Sequence, residues 1–214
     1  ISKNQQSEKI RFHDKQGKLV CSKVLVNGSY ETTYYIYDNL GRLIFTIPPK
    51  ATLHLTSGSL TTLQVANIAE NLCSYQKYDL KGRIYQKHTA GQKGSEYIVY
   101  DRKSRPVLVQ TPLLAEQNKF MFNLYDEFDR VTVTGLYPGG TSPIGWQQIC
   151  DDPQSNLPSF MNNPNYLDYY IAFMNGEGQY PLSLALAEIL VYNYYDNYAH
   201  SPGVQFSIPA YGQN

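Results

Sequence analysis

One short pattern limits what this chain can fold into more than any other feature. Tyr37-Asp38-Asn39-Leu40-Gly41-Arg42-Leu43 returns as Tyr78-Asp79-Leu80-Lys81-Gly82-Arg83-Ile84. It returns again as Tyr100-Asp101-Arg102-Lys103-Ser104-Arg105-Pro106 and as Tyr125-Asp126-Glu127-Phe128-Asp129-Arg130-Val131. A weaker copy, Phe12-His13-Asp14-Lys15-Gln16-Gly17-Lys18-Leu19, comes first, and a partial one, Tyr195-Asp196-Asn197-Tyr198, comes last. Counted between opening aromatic residues, the first five copies are 25, 41, 22 and 25 residues apart. Self-similarity at such a period marks a repeat, in which each unit buries its apolar face only against its neighbours.

Each copy reads as a β-hairpin. An alternating apolar or aromatic run precedes the Asp, as in Tyr35-Ile36-Tyr37 and Phe120-Met121-Phe122, and another follows the Arg, as in Leu43-Ile44-Phe45. Between them, D-x-x-G fits a type I turn with Asp first and Gly fourth. The carboxylate accepts backbone N–H bonds within the turn, and Gly supplies the left-handed residue of a bulge. Tyr and Arg of one copy then face each other, or stand one residue out of step if the bulge forms. The guanidinium is placed to lie on an aromatic face or to pair with the Asp. Asp129 and Ser104 replace the Gly; Asp tolerates the left-handed region better than Ser, so Ser104 is expected to show strain or a changed turn. Pro106 lacks an N–H and belongs at a bulge or facing outward.

Hairpins of this length stack edge to edge. The sequence therefore predicts a mainly β fold: a curved antiparallel sheet of successive repeat hairpins with one or two short inserted helices. Residues 1–214 form a single repeat segment with two insertions, 48–74 and 138–187. Within the first, Leu60, Leu63, Ala66/Asn67, Ala69/Glu70 and Cys73 follow a helical period, so a helix is expected at about 60–73 with Ser57 or Ser59 as its cap. The second opens with PGGTSPIG and DDPQSNLPSFMNNPN, both loop-forming, and then offers a short helix over Tyr166–Asn175. Glu188–Tyr195 alternates and reads as a strand.

Composition narrows the function classes. Twenty tyrosines stand against one tryptophan, which suits a pleated surface with one apolar and one wet side. Formal net charge is zero, from 18 basic and 18 acidic residues, and no Lys/Arg cluster is present, so a nucleic-acid partner is not expected. No apolar run is long enough to span a bilayer in this segment. The polar start, ISKNQQSEKIRF, has no signal-peptide core, and the chain reads as a segment of a larger protein. Cys21, Cys73 and Cys150 lie far apart without a partner motif and are expected to be small buried thiols.

The Y-D-x-x-G-R core resembles the YD-repeat family, also called RHS repeats, over roughly residues 10–136 and more loosely over 188–198. IYDNLGRLIFTIPPKA is similar to stretches of the large RHS-repeat proteins of Bacteroidetes. The resemblance implies a hairpin wall like those of insecticidal toxin complexes and teneurins, a secreted or cell-surface location, and toxin-associated shells in bacteria. The family's D-P-x-G self-cleavage motif is absent, since Asp152-Pro153-Gln154-Ser155 does not fit it. Neither its aspartates nor a toxin carries over.

Catalytic signals are sparse. No nucleophile elbow, zincin, P-loop or dinucleotide motif occurs. His13, His54, His88 and His200 are scattered, and His13 and His88 read as solvated turn or strand residues. Asp151-Asp152 reads as a polar turn and Gly135–Gly145 as a flexible crossing loop. Turn capping accounts for Asp38, Asp79, Asp101, Asp126 and Asp196 without calcium. No cofactor or metal is expected. Tyr192, Tyr194, Asp196 and Tyr198 form the best candidate for glycan binding, although alternate tyrosines also simply pack a sheet. The leading expectation is a non-enzymatic structural segment whose partners are the rest of a larger RHS-type chain and, through sheet edges, other copies. The alternative is a carbohydrate- or protein-binding module using exposed tyrosines. An enzyme ranks last.

Overall fold

The computed structural model describes residues 8–56, 58–125, 128–151 and 188–193. Among them are eleven strands in one sheet. The strands are Lys9–His13 (β1), Leu19–Val26 (β2), Ser29–Tyr37 (β3), Leu43–Ile47 (β4), Ser74–Tyr78 (β5), Ile84–His88 (β6), Glu96–Tyr100 (β7), Pro106–Gln110 (β8), Lys119–Tyr125 (β9), Val131–Pro138 (β10) and Glu188–Tyr192 (β11). Spatial order equals sequence order, and every neighbouring pair is antiparallel. Connections therefore alternate between the two ends of the strands. All the D-x-x-G-type turns fall at one end, and the inserted segments fall at the other.

The expected curved sheet with one or two short helices is corrected on both counts. The sheet is open, with β1 and β11 as its edges, and it is not strongly curled. A closed wall requires the first strand to pair with the last, and here each is bonded on one side only. The described residues also include four helices: Pro49–Thr56 (α1), Thr62–Leu72 (α2), Pro112–Glu116 (α3) and Pro143–Asp151 (α4). Three of them begin at a proline. Pro is a good first helical residue because its missing N–H would be unpaired there anyway. Thr111 caps α3 by accepting from Leu114 N at 3.3 Å, and Ser142 Oγ accepts from Gly145 N at 3.1 Å at the start of α4. Reading PGGTSPIG as loop-forming misses the start of α4, and α1 and α3 were not expected. Within 48–74, α2 is capped by neither Ser57 nor Ser59. Thr61 and Gln64 form a reciprocal capping box. The expected helix over 166–175 lies outside the described residues.

Inside the Gly135–Gly145 stretch there is likewise more order than a crossing loop. Gly135 sits in β10, where a Cβ would stand 2.5 Å from Glu188 O and 2.6 Å from the Phe122 ring. Gly145 lies in α4.

The core is one-sided along the chain. Val99, Val107, Leu108, Phe120, Phe122, Leu124, Val133, Tyr137, Trp146 and Cys150 form one buried cluster. β9 shows why: its burial alternates strictly, with Phe120, Phe122 and Leu124 pointing to one face. α4 covers that face. Trp146 meets Phe120 and Tyr137 edge-on, at 6.5 and 5.8 Å between ring centres, and its indole N–H donates to Gly139 O at 3.2 Å. Gln147 bonds to both backbone groups of Tyr100, accepting from its N–H at 2.8 Å and donating to its carbonyl at 2.9 Å. It thus stands in for a paired strand.

Candidate functional site

The repeat turns are built alike. In each of the first four copies the Asp N–H donates to the carbonyl of the residue four on: Asp14 to Lys18, Asp38 to Arg42, Asp79 to Arg83 and Asp101 to Arg105, at 2.9–3.0 Å. The fourth turn residue returns a bond to the Asp carbonyl, and its φ is positive: 81° at Gly17, 79° at Gly41, 81° at Gly82 and 67° at Ser104. Asp129 takes the same place in the fifth turn with φ 62°. Ser104 therefore keeps the turn and adopts the strained conformation. A bulge follows, so Tyr37 opposes Leu43, Tyr78 opposes Ile84 and Tyr100 opposes Pro106. In the first copy His13 opposes Leu19, so His13, rather than Phe12, holds the tyrosine position.

In the arginine copies of Asp38, Asp79 and Asp101, both carboxylate oxygens accept bonds. Asp38 Oδ1 accepts from Leu40 N and Arg42 N at 3.0 and 2.9 Å, and Oδ2 accepts from Arg42 Nε at 2.7 Å. Asp79 repeats this with Lys81 N, Arg83 N and Arg83 Nε, and Asp101 bonds to Arg105 N and Nε. The Arg42 backbone N–H, above all, holds the Asp38 carboxyl below its ordinary value, with the guanidinium adding to it. At Asp79 burial pushes upward, but the bonds from Arg83 outweigh it and the net direction is down.

The arginine also reaches outward. Arg42 lies over the ring of Tyr78, Arg83 over Tyr100 and Arg105 over Tyr125, at 4.4, 4.5 and 4.6 Å from ring centre to guanidinium carbon. Lys18 does the same over Tyr37 at 5.7 Å. The cation of one turn thus stacks on the tyrosine of the next copy. That tyrosine hydroxyl donates back to the carbonyl just after the cation: Tyr37 to Leu19, Tyr78 to Leu43, Tyr100 to Ile84 and Tyr125 to Pro106, at 2.8–3.1 Å.

These carbonyls need donors. Between hairpins the ladder has only two residue pairs at β4–β5, at β6–β7 and at β8–β9. Toward the turns the strands part, and the tyrosine hydroxyl bonds to a carbonyl that the ladder no longer reaches. Gln76 adds a second donor at Leu43 O and Asn123 one at Pro106 O.

The fourth turn residue completes the junction. Arg83 Nη1 donates to Ser104 Oγ at 3.3 Å and to Asp101 O at 3.2 Å, and Arg105 Nη1 donates to Asp129 Oδ1 at 2.6 Å. Where glycine stands there, the same cation occupies the space: a Cβ on Gly41 would lie 2.6 Å from Lys18 Nζ, and one on Gly82 3.5 Å from Arg42 Nη1. The two copies without glycine therefore place a polar acceptor under the incoming arginine.

The structure brings the residues of the motif together across copies. The copy-internal alternatives, Tyr facing Arg or Arg pairing with Asp, resolve into Arg on its own Asp and on the next Tyr. Gln76 and Asn123 belong to the junction but lie outside the motif as read, while Lys18 and the four carbonyls lie within its copies in roles the pattern did not assign. Lys18 was findable, since it holds the arginine position of the weak first copy. Gln76 and Asn123 each precede a motif tyrosine by two residues. Arg130 lies over the Phe128 ring at 5.1 Å. Asp126 lies outside the described residues, as do Tyr194, Asp196 and Tyr198 of the glycan candidate. Tyr192 ends β11 opposite Val133.

Elsewhere the side chains that could carry chemistry are dispersed. No group of three His, Cys, Asp or Glu residues able to hold a metal occurs among the described residues. No helix there is long and apolar enough to cross a membrane. The three thiols are free and buried; burial, with Asp151 and Asp101 nearby, pushes the Cys150 thiol up to about 11. His88 departs from the solvated reading and is buried.

No family model matches the chain, and no curated protein matches it. Among solved structures it is similar to the crystal structure of TcdB2-TccC3-Cdc42, with a TM-score of 0.46 and 17% identity over 64% of this chain. The chain spans 6% of the length of that match.

Proposed function

We propose that this chain is a non-enzymatic structural segment of a larger RHS/YD-repeat protein, a stretch of β-hairpin shell or scaffold held outside the cell or on its surface. One observation carries the reading. The same junction recurs at Lys18–Tyr37, Arg42–Tyr78, Arg83–Tyr100 and Arg105–Tyr125, whether 22, 24, 25 or 41 residues separate the aligned copies. The motif's charged and aromatic groups are spent on joining hairpins. Side chains so committed build an extended surface and leave no convergent set for turnover. The arrangement needs no cofactor. The partners of such a segment are the rest of its chain and other strands at its open edges.

The test is the mass of the native polypeptide, captured by antibody from source cells and medium. A species several times larger than 24.4 kDa supports the reading. A species near that mass overturns it.

A further inference from the structure

His88 ends β6 with 1% of its surface exposed. Both ring nitrogens face backbone carbonyl oxygens: Nδ1 lies 2.9 Å from Gly94 O, and Nε2 lies 2.6 Å from Glu70 O. A carbonyl oxygen only accepts. Neutral imidazole has one N–H and one lone pair, so either tautomer donates to one of these oxygens and turns a lone pair on the other. Only the imidazolium donates to both.

The surroundings suit a cation. Glu70 O belongs to the last turn of α2, where terminal carbonyls lack intrahelical donors and carry the negative end of the helix dipole. Also from α2, Glu70 Oε1 lies 3.7 Å from Nδ1. From β5, the Tyr75 ring stacks on the imidazole at 4.8 Å and 15°, and its hydroxyl donates to Glu70 Oε2 at 3.1 Å. Burial keeps the phenols of Tyr75 and, on β7, Tyr97 protonated and neutral by raising both. Of the cations nearby, Lys93 pairs with Glu116, Lys87 is the register partner of Glu96, and Lys77 lies over the Tyr75 ring at 6.0 Å. One carboxylate, that of Glu70, therefore faces the ring.

The location gives this charge leverage. α2 buries no residue, so no fully buried side chain of its own anchors it to the sheet. His88 ties its last turn to β6 and to the loop carrying Gly94. One further bond, Gly91 N to Asn71 O at 3.0 Å, joins α2 to the same loop, and Ala90 N donates to Ser74 Oγ of β5 at 3.0 Å.

We propose that His88 is a proton-operated latch that holds the α1–α2 insertion against the sheet. Protonated, it bridges Glu70 O and Gly94 O beside the Glu70 carboxylate. Deprotonated, it loses one of the two bonds and the attraction to Glu70, and the end of α2 is released. Only the doubly protonated ring makes both bonds, so the bridge opens when a proton leaves either nitrogen. The proposal does not depend on the structural role above.

The test uses the full chain with ¹⁵N-labelled histidine, followed by NMR from pH 5 to 9, with amide exchange across 62–72 corrected for its intrinsic pH dependence. At pH 5 both ring nitrogens of His88 should carry protons. Protection of α2 should fall about tenfold as that state disappears, the worth of one hydrogen bond to a charged group. In His88→Gln the step in protection should vanish. A ring with one bare nitrogen at pH 5, or protection of α2 that does not follow ring protonation, overturns the latch. Should His88→Gln fail to fold, a variant lacking His13, His54 and His200 assigns the ring signals and the same two outcomes decide.

Discussion

The first four strands and the four strands β7–β10 carry the same turns and the same junctions, yet they are held differently. Among the described residues up to Ala51, the buried ones are Cys21, Ser22 and Ala51, and Phe12, Tyr34 and Ile36 are each more than two-fifths exposed. In β7–β10 the same repeat lies beneath α4 and builds the buried cluster together with it. The difference teaches that the motif and the core are separable. The motif sets register and joins hairpins wherever it occurs. A hydrophobic core forms only where an inserted helix brings Trp146 and Cys150 onto the sheet.

The sharpest way to break this comparison is to remove one apolar side chain from each region. Phe122→Ala should destabilise the protein by about 3–5 kcal/mol, as for a large buried side chain. Ile36→Ala should change stability by less than about 0.5 kcal/mol, as expected at the surface. Urea unfolding followed by circular dichroism checks both, and comparable midpoints would mean the two regions share one core.

Next in size is the turn itself. Gly82→Val should cost about 1–3 kcal/mol, because a β-branched residue resists positive φ. Gly41→Val should behave likewise, and Asp14→Ala should cost less than either. Equal or reversed unfolding midpoints would sink the turn geometry.

Acid should act on the turns of the first region and on the β5–β6 turn. The Asp14, Asp38 and Asp79 carboxyls titrate below their ordinary values in the folded chain. Their contribution is present above the unfolded carboxylate range, about 3.9, and is lost as pH falls through the lower folded values. Melting temperature should therefore drop between about pH 4 and 2. A flat profile there would show that the turn bonds contribute nothing.

Smallest is the pairwise term at a junction. A double-mutant cycle of Arg83→Met and Tyr100→Leu should return a coupling of about 0.5–1 kcal/mol, the range for a cation over an aromatic face. The Arg42–Tyr78 cycle should return a similar value despite the long insertion between them. A zero in both would reduce the stacking to coincidence of packing.

The turns were legible because D-x-x-G encodes its own bonds within five residues. Local chemistry also gave α2, through its period, although its cap was placed at Ser57 or Ser59 instead of Thr61. What could not be read is the partner of each arginine. Arg83 and Tyr78 share a copy, but the ring it covers is Tyr100, and that depends on which strands are neighbours. The helix at Pro143 was hidden because PGGTSPIG was read as a loop, and those at Pro49 and Pro112 were not expected. His88 looked solvated because its acceptors, Glu70 O and Gly94 O, are backbone atoms that leave no mark in a side-chain pattern.

The junction also settles how such a molecule can lengthen. Each tooth engages only the next, and the opposite ends of the strands carry whatever lies between, from Asn27-Gly28 to the paired helices α1 and α2. A hairpin duplicated or deleted in the gene leaves every remaining cation facing a tyrosine. Growth in whole hairpins is thus nearly neutral, while loops on the far side are free to diverge.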